Sequence, residues 1–158
     1  MSDRAAIPVR PLRESDREAW GALWDGYLAF YEEDLDPQVT EVSFARLCAG
    51  DGVFGFVACD ADDRPIGLVH AMLHPSTWSP GGYCYLEDLF VGPDARTGGV
   101  GRALIETVAT EARRRGATKL YWQTDHDNAR ARALYDQVAT LEKVVLYGRE
   151  LGGDAPAG

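Results

Sequence analysis

The sequence predicts an α/β protein, a mixed and mostly antiparallel sheet flanked by helices. Three observations predict it. Stretches alternating with a period of two recur along the chain, at Ile7 to Leu12, Val53 to Cys59, Ile66 to His74 and Glu142 to Leu151. Stretches with apolar residues at helical spacing stand between them. Around residues 83–116 the chain reads strand, glycine-rich turn, helix, so strands and helices are interleaved rather than segregated. We expect six to seven strands and about four helices. At 158 residues, with no internal repeat or linker, one domain over 1–151 is expected, and GGDAPAG (152–158) reads as a disordered tail.

Ile7 to Leu12 reads as a short first strand. Ser15 followed by Glu18 has the form of a capping box. Trp20, Leu23, Trp24, Tyr27, Leu28 and Tyr31 then make one apolar stripe of a helix, which ends near Glu32-Glu33-Asp34 and Pro37. A second helix is expected over 40–49, with Val42 and Leu47 marking its turns. Gly52 opens a strand to Cys59, and DADDRP (60–65) is a hairpin turn. Ile66 to His74 continues the meander, and PSTWSPGG (75–82) reads as a loop carrying Trp78.

An apolar run from Tyr83 to Val91 is stopped by Gly92-Pro93-Asp94. Arg96-Thr97-Gly98-Gly99-Val100-Gly101 follows, then a helix with Val100, Leu104, Val108 and Ala112 on one face. Arg113, Arg114 and Arg115 complement the dipole at its end, and Gly116 stops it. KLYWQT (119–124) is a strand, and Asn128 caps a last helix with Ala131, Leu134, Tyr135 and Val138 on one side. The first turn of a helix carries N–H groups without internal partners, and glycines let a phosphate approach them closely. The stretch therefore reads as a pyrophosphate cradle. It is not a P-loop, because no Lys follows the glycines. Nor is it a dinucleotide fingerprint, because Leu104 stands where the third glycine belongs.

Arg96, Gly99 and Gly101 match the acyl-CoA loop [QR]-x-x-G-x-[GA]. With it, the chain resembles the GNAT superfamily of N-acetyltransferases. Leu86-Glu87-Asp88-Leu89-Phe90-Val91 and Asn128 through Asp136 are similar to two signatures of its polyamine, thialysine and histone-tail acetyltransferase-like branch. The resemblance implies a GNAT fold with a splayed central strand, and acetyl-CoA as acyl donor. It implies that Leu89, Phe90 and Val91 run beside the pantetheine arm, with the N–H of Leu89 or Phe90 as oxyanion donor. Arg96, Thr97, Gly98, Gly99, Val100, Gly101 and Arg102 would hold the diphosphate, with Asn128 near the arm. One departure stands out: relatives carry Gly-Phe beyond the tyrosine, where this chain reads Val138 to Val144.

The reaction needs a base, since an alkylammonium with a pKa near ~10 is protonated at neutral pH. By resemblance Glu87 is that base, usually through a water, and Tyr135 protonates the departing thiolate. Each also has a plain reading: Glu87 as partner of an arginine or an amide, Tyr135 as a core ring. Strand alternation puts Glu87 and Asp88 on opposite faces unless a bulge intervenes. Tyr27, Tyr31, Glu32, Glu33, Trp78 and Asp88 could form the mouth for a cationic acceptor, by charge and cation–π contact. The competing reading is core aromatics beside a solvated acidic loop.

Charge supports a cationic partner. The chain carries a net −9, and residues 14–41 hold nine acidic groups against Arg17 alone. Residues 96–115 hold five arginines against Glu106 and Glu111. An acidic protein of this kind does not suit nucleic acid, and no stretch approaches the roughly 20 apolar residues of a membrane helix. Three scattered cysteines (Cys48, Cys59, Cys84) suit a reducing compartment, so a cytoplasmic location is expected. His70, His74 and His126 make no metal site, since four residues of strand span roughly 13 Å. The expected function is acetyl transfer to a primary amine of a small cation, a polyamine or lysine-like amino acid, by direct attack in a ternary complex. Protein N-termini or basic tails, and a non-catalytic acyl-CoA sensor, are the alternatives. A homodimer is implied by the resemblance.

Overall fold

The structure is a computed structural model that describes residues 5–96 and 98–153. The chain forms two compact units, one within Met1–Asp125 and one within His126–Gly158. In the first, five strands lie in the order β1-β2-β3-β4-β5: Val9–Pro11, Val53–Cys59, Pro65–Ser76, Ser79–Val91 and Leu120–Tyr121. All neighbours are antiparallel except β4 and β5, which run parallel. The helices of this unit are α1 (Arg17–Phe30), α2 (Pro37–Ala49) and α3 (Val100–Arg114); α4 (Ala129–Val138) belongs to the second.

Pleating sorts the sheet's residues between two cores. On one face Trp20, Trp24, Phe44 and Leu47 of α1 and α2 cover Val57, Cys59 and Leu68, with Phe90 packed at the margin. On the other, α3 buries Val100, Leu104, Ile105, Val108 and Ala112. A Cβ on Gly67 would stand 3.0 Å from Val100 Cγ1 and 3.2 Å from Leu104 Cδ1, so a larger residue there would push the start of α3 off β3 by a few tenths of an ångström.

The elements depart from the sequence reading in several places; the strand expected over 119–124, for one, is only Leu120–Tyr121. Ser15 does not cap α1: it sits in a 3-10 turn (Glu14–Asp16), and Asp16 Oδ2 accepts the N–H of Arg13 at 2.9 Å. Helix α2 starts three residues earlier than expected, because Asp36 accepts from the N–H of Gln38 and Pro37 occupies its first turn. It buries Phe44 rather than Val42, which is 41% exposed. The 75–82 loop shrinks to a two-residue tip, Thr77 and Trp78, because β3 and β4 pair as far as Ser76 and Ser79. The strand over 142–151 is absent. Among the described residues the sheet has five strands rather than six or seven, and Val144, Val145, Leu146 and Tyr147 are all exposed. Alternation makes a strand only where an edge is offered to pair with. Residues 154–158 of the expected tail lie outside the described residues.

The entrance to α1 is held by ions. Arg10 donates to Asp16 through Nη1 and Nη2, at 2.8 and 2.9 Å, and through Nε to Asp63 at 2.8 Å. Asp16 is 6% exposed, and Arg10 holds its carboxyl below the usual range. A carboxylate with a depressed folded pKa adds stability above its unfolded pKa and loses it as pH falls through the folded value. Asp16→Ala, which leaves Arg10 without its buried partner, is expected to cost about 3 kcal/mol in urea unfolding at neutral pH. That penalty should shrink in acid.

Candidate active site

The candidate site is built on β4. Its N-terminal half pairs with β3 on one side and, at Cys84 and Tyr85, with β5 on the other. Beyond Tyr85 no described strand continues the pairing on the β5 side, so Leu86 and Asp88 to Val91 are laddered to β3 alone. This is the splay expected of the central strand. Leu89 and Val91 lie along that open edge, opposite Val69 and Gly67, and Phe90 lies opposite Leu68.

The strand leads through Gly92 and a 3-10 turn (Pro93–Ala95) into α3. Arg96 Nε donates to the carbonyl of Val91 at 3.3 Å, and its guanidinium lies 5.7 Å from the Phe90 ring, which folds the loop back on the strand. Gly99 caps the helix at φ 82°, a left-handed conformation that suits glycine. It brings no side-chain acceptor to the first-turn N–H groups of α3, and Gly98 and Gly99 are exposed. This donor set suits a diphosphate, which accepts hydrogen bonds and carries negative charge. Val100 points inward into the core, 4% exposed, so it can offer only its backbone. Thr97 lies outside the described residues.

On β4, His70 pairs with Asp88 and Ala71 with Leu86, which leaves Glu87 as the extra residue of a β-bulge. The bulge breaks the alternation that would have sent the two carboxylates to opposite faces. Glu87 couples electrostatically to Asp88, His70, Tyr27 and Tyr85. The residue reaches solvent, yet desolvation raises its pKa, Asp88 raises it further, and His70 acts the other way. Burial, then Asp88, pushes the Tyr27 hydroxyl well above its ordinary range. Tyr31, 4.9 Å from Tyr27 between ring centroids, is raised by burial, Asp125 and Asp88. Rings and carboxylates of opposite polarity preference thus share one patch.

Of the expected mouth, the structure brings together Tyr27, Tyr31 and Asp88, with Glu87 beside them. Glu32 takes a left-handed conformation (φ 53°) just past α1, and Glu33 lines a cleft of about 340 Å³ between α1 and α2 with Arg17 and Glu41. Trp78 is not with them: it is 88% exposed at the hairpin tip, nine residues and roughly 25–30 Å of strand from Glu87. A row of rings was missed in the sequence. Tyr83, Tyr85 and Tyr121 adjoin one another, with Tyr85 and Tyr121 at 5.1 Å and His74 accepting from Tyr121 Oη at 2.7 Å. The signal was the alternation of Tyr83 and Tyr85, which the bulge carries onto the face of Asp88.

In the second unit, Asn128 caps α4 by accepting the N–H of Ala131 at 3.3 Å. Tyr135 is half-buried on that helix, on the side shared by Ala131, Leu134 and Val138.

The pattern of the acetyltransferase (GNAT) family matches residues 12–139. The chain belongs to the GNAT family. It is 38% identical over 151 residues to the D-amino-acid N-acetyltransferase HPA3 of Saccharomyces cerevisiae, covering 94% of this chain and 92% of that protein. It is 37% identical to the thialysine N-epsilon-acetyltransferase of Caenorhabditis elegans over 86 residues, 54% of this chain and 52% of that one. Among solved structures a probable acetyltransferase superposes with a TM-score of 0.82 at 18% identity, covering 94% of this chain and all (100%) of that one. AAC(6')-Iy in complex with the bisubstrate analog CoA-S-monomethyl-acetylneamine superposes at 0.75 and 20% identity, over 91% and 98% of the two chains. This GNAT protein is therefore an acetyl-CoA-dependent N-acetyltransferase with a mixed α/β fold.

Proposed function

We propose that this N-acetyltransferase acts on the primary amine of a small cationic acceptor, a polyamine or a lysine-like amino acid. The observation that carries the reading is the bulge at Glu87. It gathers two carboxylates and the rings of Tyr27, Tyr31 and Tyr85 on the strand that runs into the glycine-capped helix. Carboxylates attract an alkylammonium, and aromatic faces accept its alkyl and cationic parts. Relatives named for D-amino acids and thialysine support a small amine.

Acetyl-CoA supplies an activated thioester. Arg96, Thr97, Gly98, Gly99, Val100, Gly101 and Arg102 would hold its diphosphate, with Leu89, Phe90, Val91 and Asn128 along the arm. Glu87 takes a proton from the acceptor's ammonium through a water, freeing the lone pair for attack. The N–H of Leu89 or Phe90 donates to the carbonyl oxygen as charge builds there. Tyr135 gives its phenolic proton to the departing thiolate. Asp88, Tyr31, Glu32 and Glu33 bias the entrance toward cations, and Trp78 is left as an outer contact for a long acceptor. Direct attack is favoured over an acyl-enzyme, because burial pushes the Cys84 thiol up to about 11 and thiolates are the nucleophiles. A homodimer is part of the proposal, supported by the exposed apolar run Val144–Tyr147. So is a cytoplasmic location, supported by three free cysteines.

The test is thiol release from acetyl-CoA over polyamines, D- and L-amino acids, aminoglycosides and basic peptides. Small cations should lead, and their kcat/KM should fall as salt is raised. A panel led by peptides, or by neutral amines, would overturn the acceptor assignment.

A further inference from the structure

His70 lies on β3 directly opposite Asp88 and is 4% exposed. Both ring nitrogens are engaged. The indole N–H of Trp20, which can only donate, meets Nε2 at 3.0 Å. Nε2 therefore accepts, and the ring hydrogen sits on Nδ1, 2.9 Å from Asp88 Oδ2. The hydroxyl of Tyr27 is coupled electrostatically to the same carboxylate. A chain thus runs from Trp20 to His70 to Asp88. Stacking fixes its members: Trp20 on Trp24 at 5.7 Å, Trp24 on Tyr27 at 5.1 Å, and Trp24 beside His70 at 5.3 Å.

The chain ends one residue from the bulge. At a bulge the extra residue has no partner across the ladder, so its direction is set by its flanks. Asp88 is the flank, and the ring N–H of His70 makes it a strut rather than a loose ligand for substrate. We propose that His70, locked in one tautomer by Trp20, is a positioning residue that holds Asp88 and through it the direction and charge environment of Glu87. The proposal rests on Glu87 being the base and adds what aims it. The groups facing this spot are Tyr27 and Tyr31 from α1, His70 from β3, Tyr85 and Asp88 from β4, and Asp125 past β5, beside Tyr31.

Three variants test it. His70→Leu removes the donor to Asp88, His70→Asn returns an N–H near the Nδ1 position, and Trp20→Phe removes the indole N–H together with part of a buried ring system. His70→Leu should lower kcat about tenfold or more, the scale of a small misplacement, with KM for acetyl-CoA unchanged. Its acid limb should move, since Asp88, which His70 holds in place, raises the Glu87 pKa. His70→Asn should recover most of both. A purely structural histidine would lower the Tm and leave the limb where it was, which would overturn the proposal.

A second readout needs no turnover. Nitrogen NMR of the His70 ring should show the Nδ1–H tautomer in the native protein and a mixture in Trp20→Phe. Carboxyl carbon NMR, assigned with Glu87→Gln, should show Glu87 titrating at a different pH in His70→Leu. An Nε2–H tautomer, or an unmoved Glu87 titration, would also overturn it. If no amine is acetylated, the acceptor reading falls and these spectra still decide the role of His70.

Discussion

Tyr135→Phe should lower kcat about 100-fold, within the range for loss of a general acid, while acetyl-CoA still binds with its native affinity. The change removes one oxygen from a ring that α4 holds half-buried, and the Asn128 cap keeps that helix start in place. The fold should not respond, so the Tm should move by no more than a degree or two. Single-turnover thiol release separates the effect from product release. A variant as fast as the native enzyme would return the ring to a packing part and shift the search for the acid elsewhere.

Glu87→Gln is the second large effect, and it acts in opposite directions on rate and stability. Without a base, kcat/KM at neutral pH should fall about 100-fold or more. In the native enzyme the rate should fall as pH drops through a Glu87 pKa raised by desolvation and by Asp88. That limb should disappear in the variant. Stability follows the other sign. A carboxyl with a raised folded pKa binds its proton more tightly when folded, so it costs stability as pH rises through the window between its unfolded and folded values. The neutral amide avoids that cost, and Glu87→Gln should melt higher than the native protein at neutral pH and match it in acid. A loss of rate with a lower Tm would mean that Glu87 holds the fold rather than the proton.

Much of the architecture was legible because its causes are local. The stripe from Trp20 to Leu28 and the face from Val100 to Ala112 repeat at helical spacing, and Trp20, Trp24 and the α3 face are buried as expected, while Tyr31 stands exposed past the helix end. The glycine cradle was legible because Gly99 needs a conformation that other residues avoid. The bulge was not, since register is a property of two strands and Glu87 is the odd residue only against His70 and Ala71. The pairing of His70, considered from the sequence only as a metal ligand, escaped notice for the same reason: its donor Trp20 lies 50 residues away, and no spacing rule joins an indole to an imidazole. Residues 142–151 misled in the other direction. Their alternation is genuine, yet the described sheet ends at a strand of two residues, Leu120–Tyr121.

The bulge also says how easily such an enzyme can be silenced. Deleting codon 87 would join Leu86 to Asp88 and zip the ladder with His70 and Ala71 into regular register, with every other strand residue keeping its side of the sheet. If Glu87 is the base proposed above, one in-frame deletion there would give an inert, well-folded chain with its glycine loop unchanged, and assay of that deletion variant would check it.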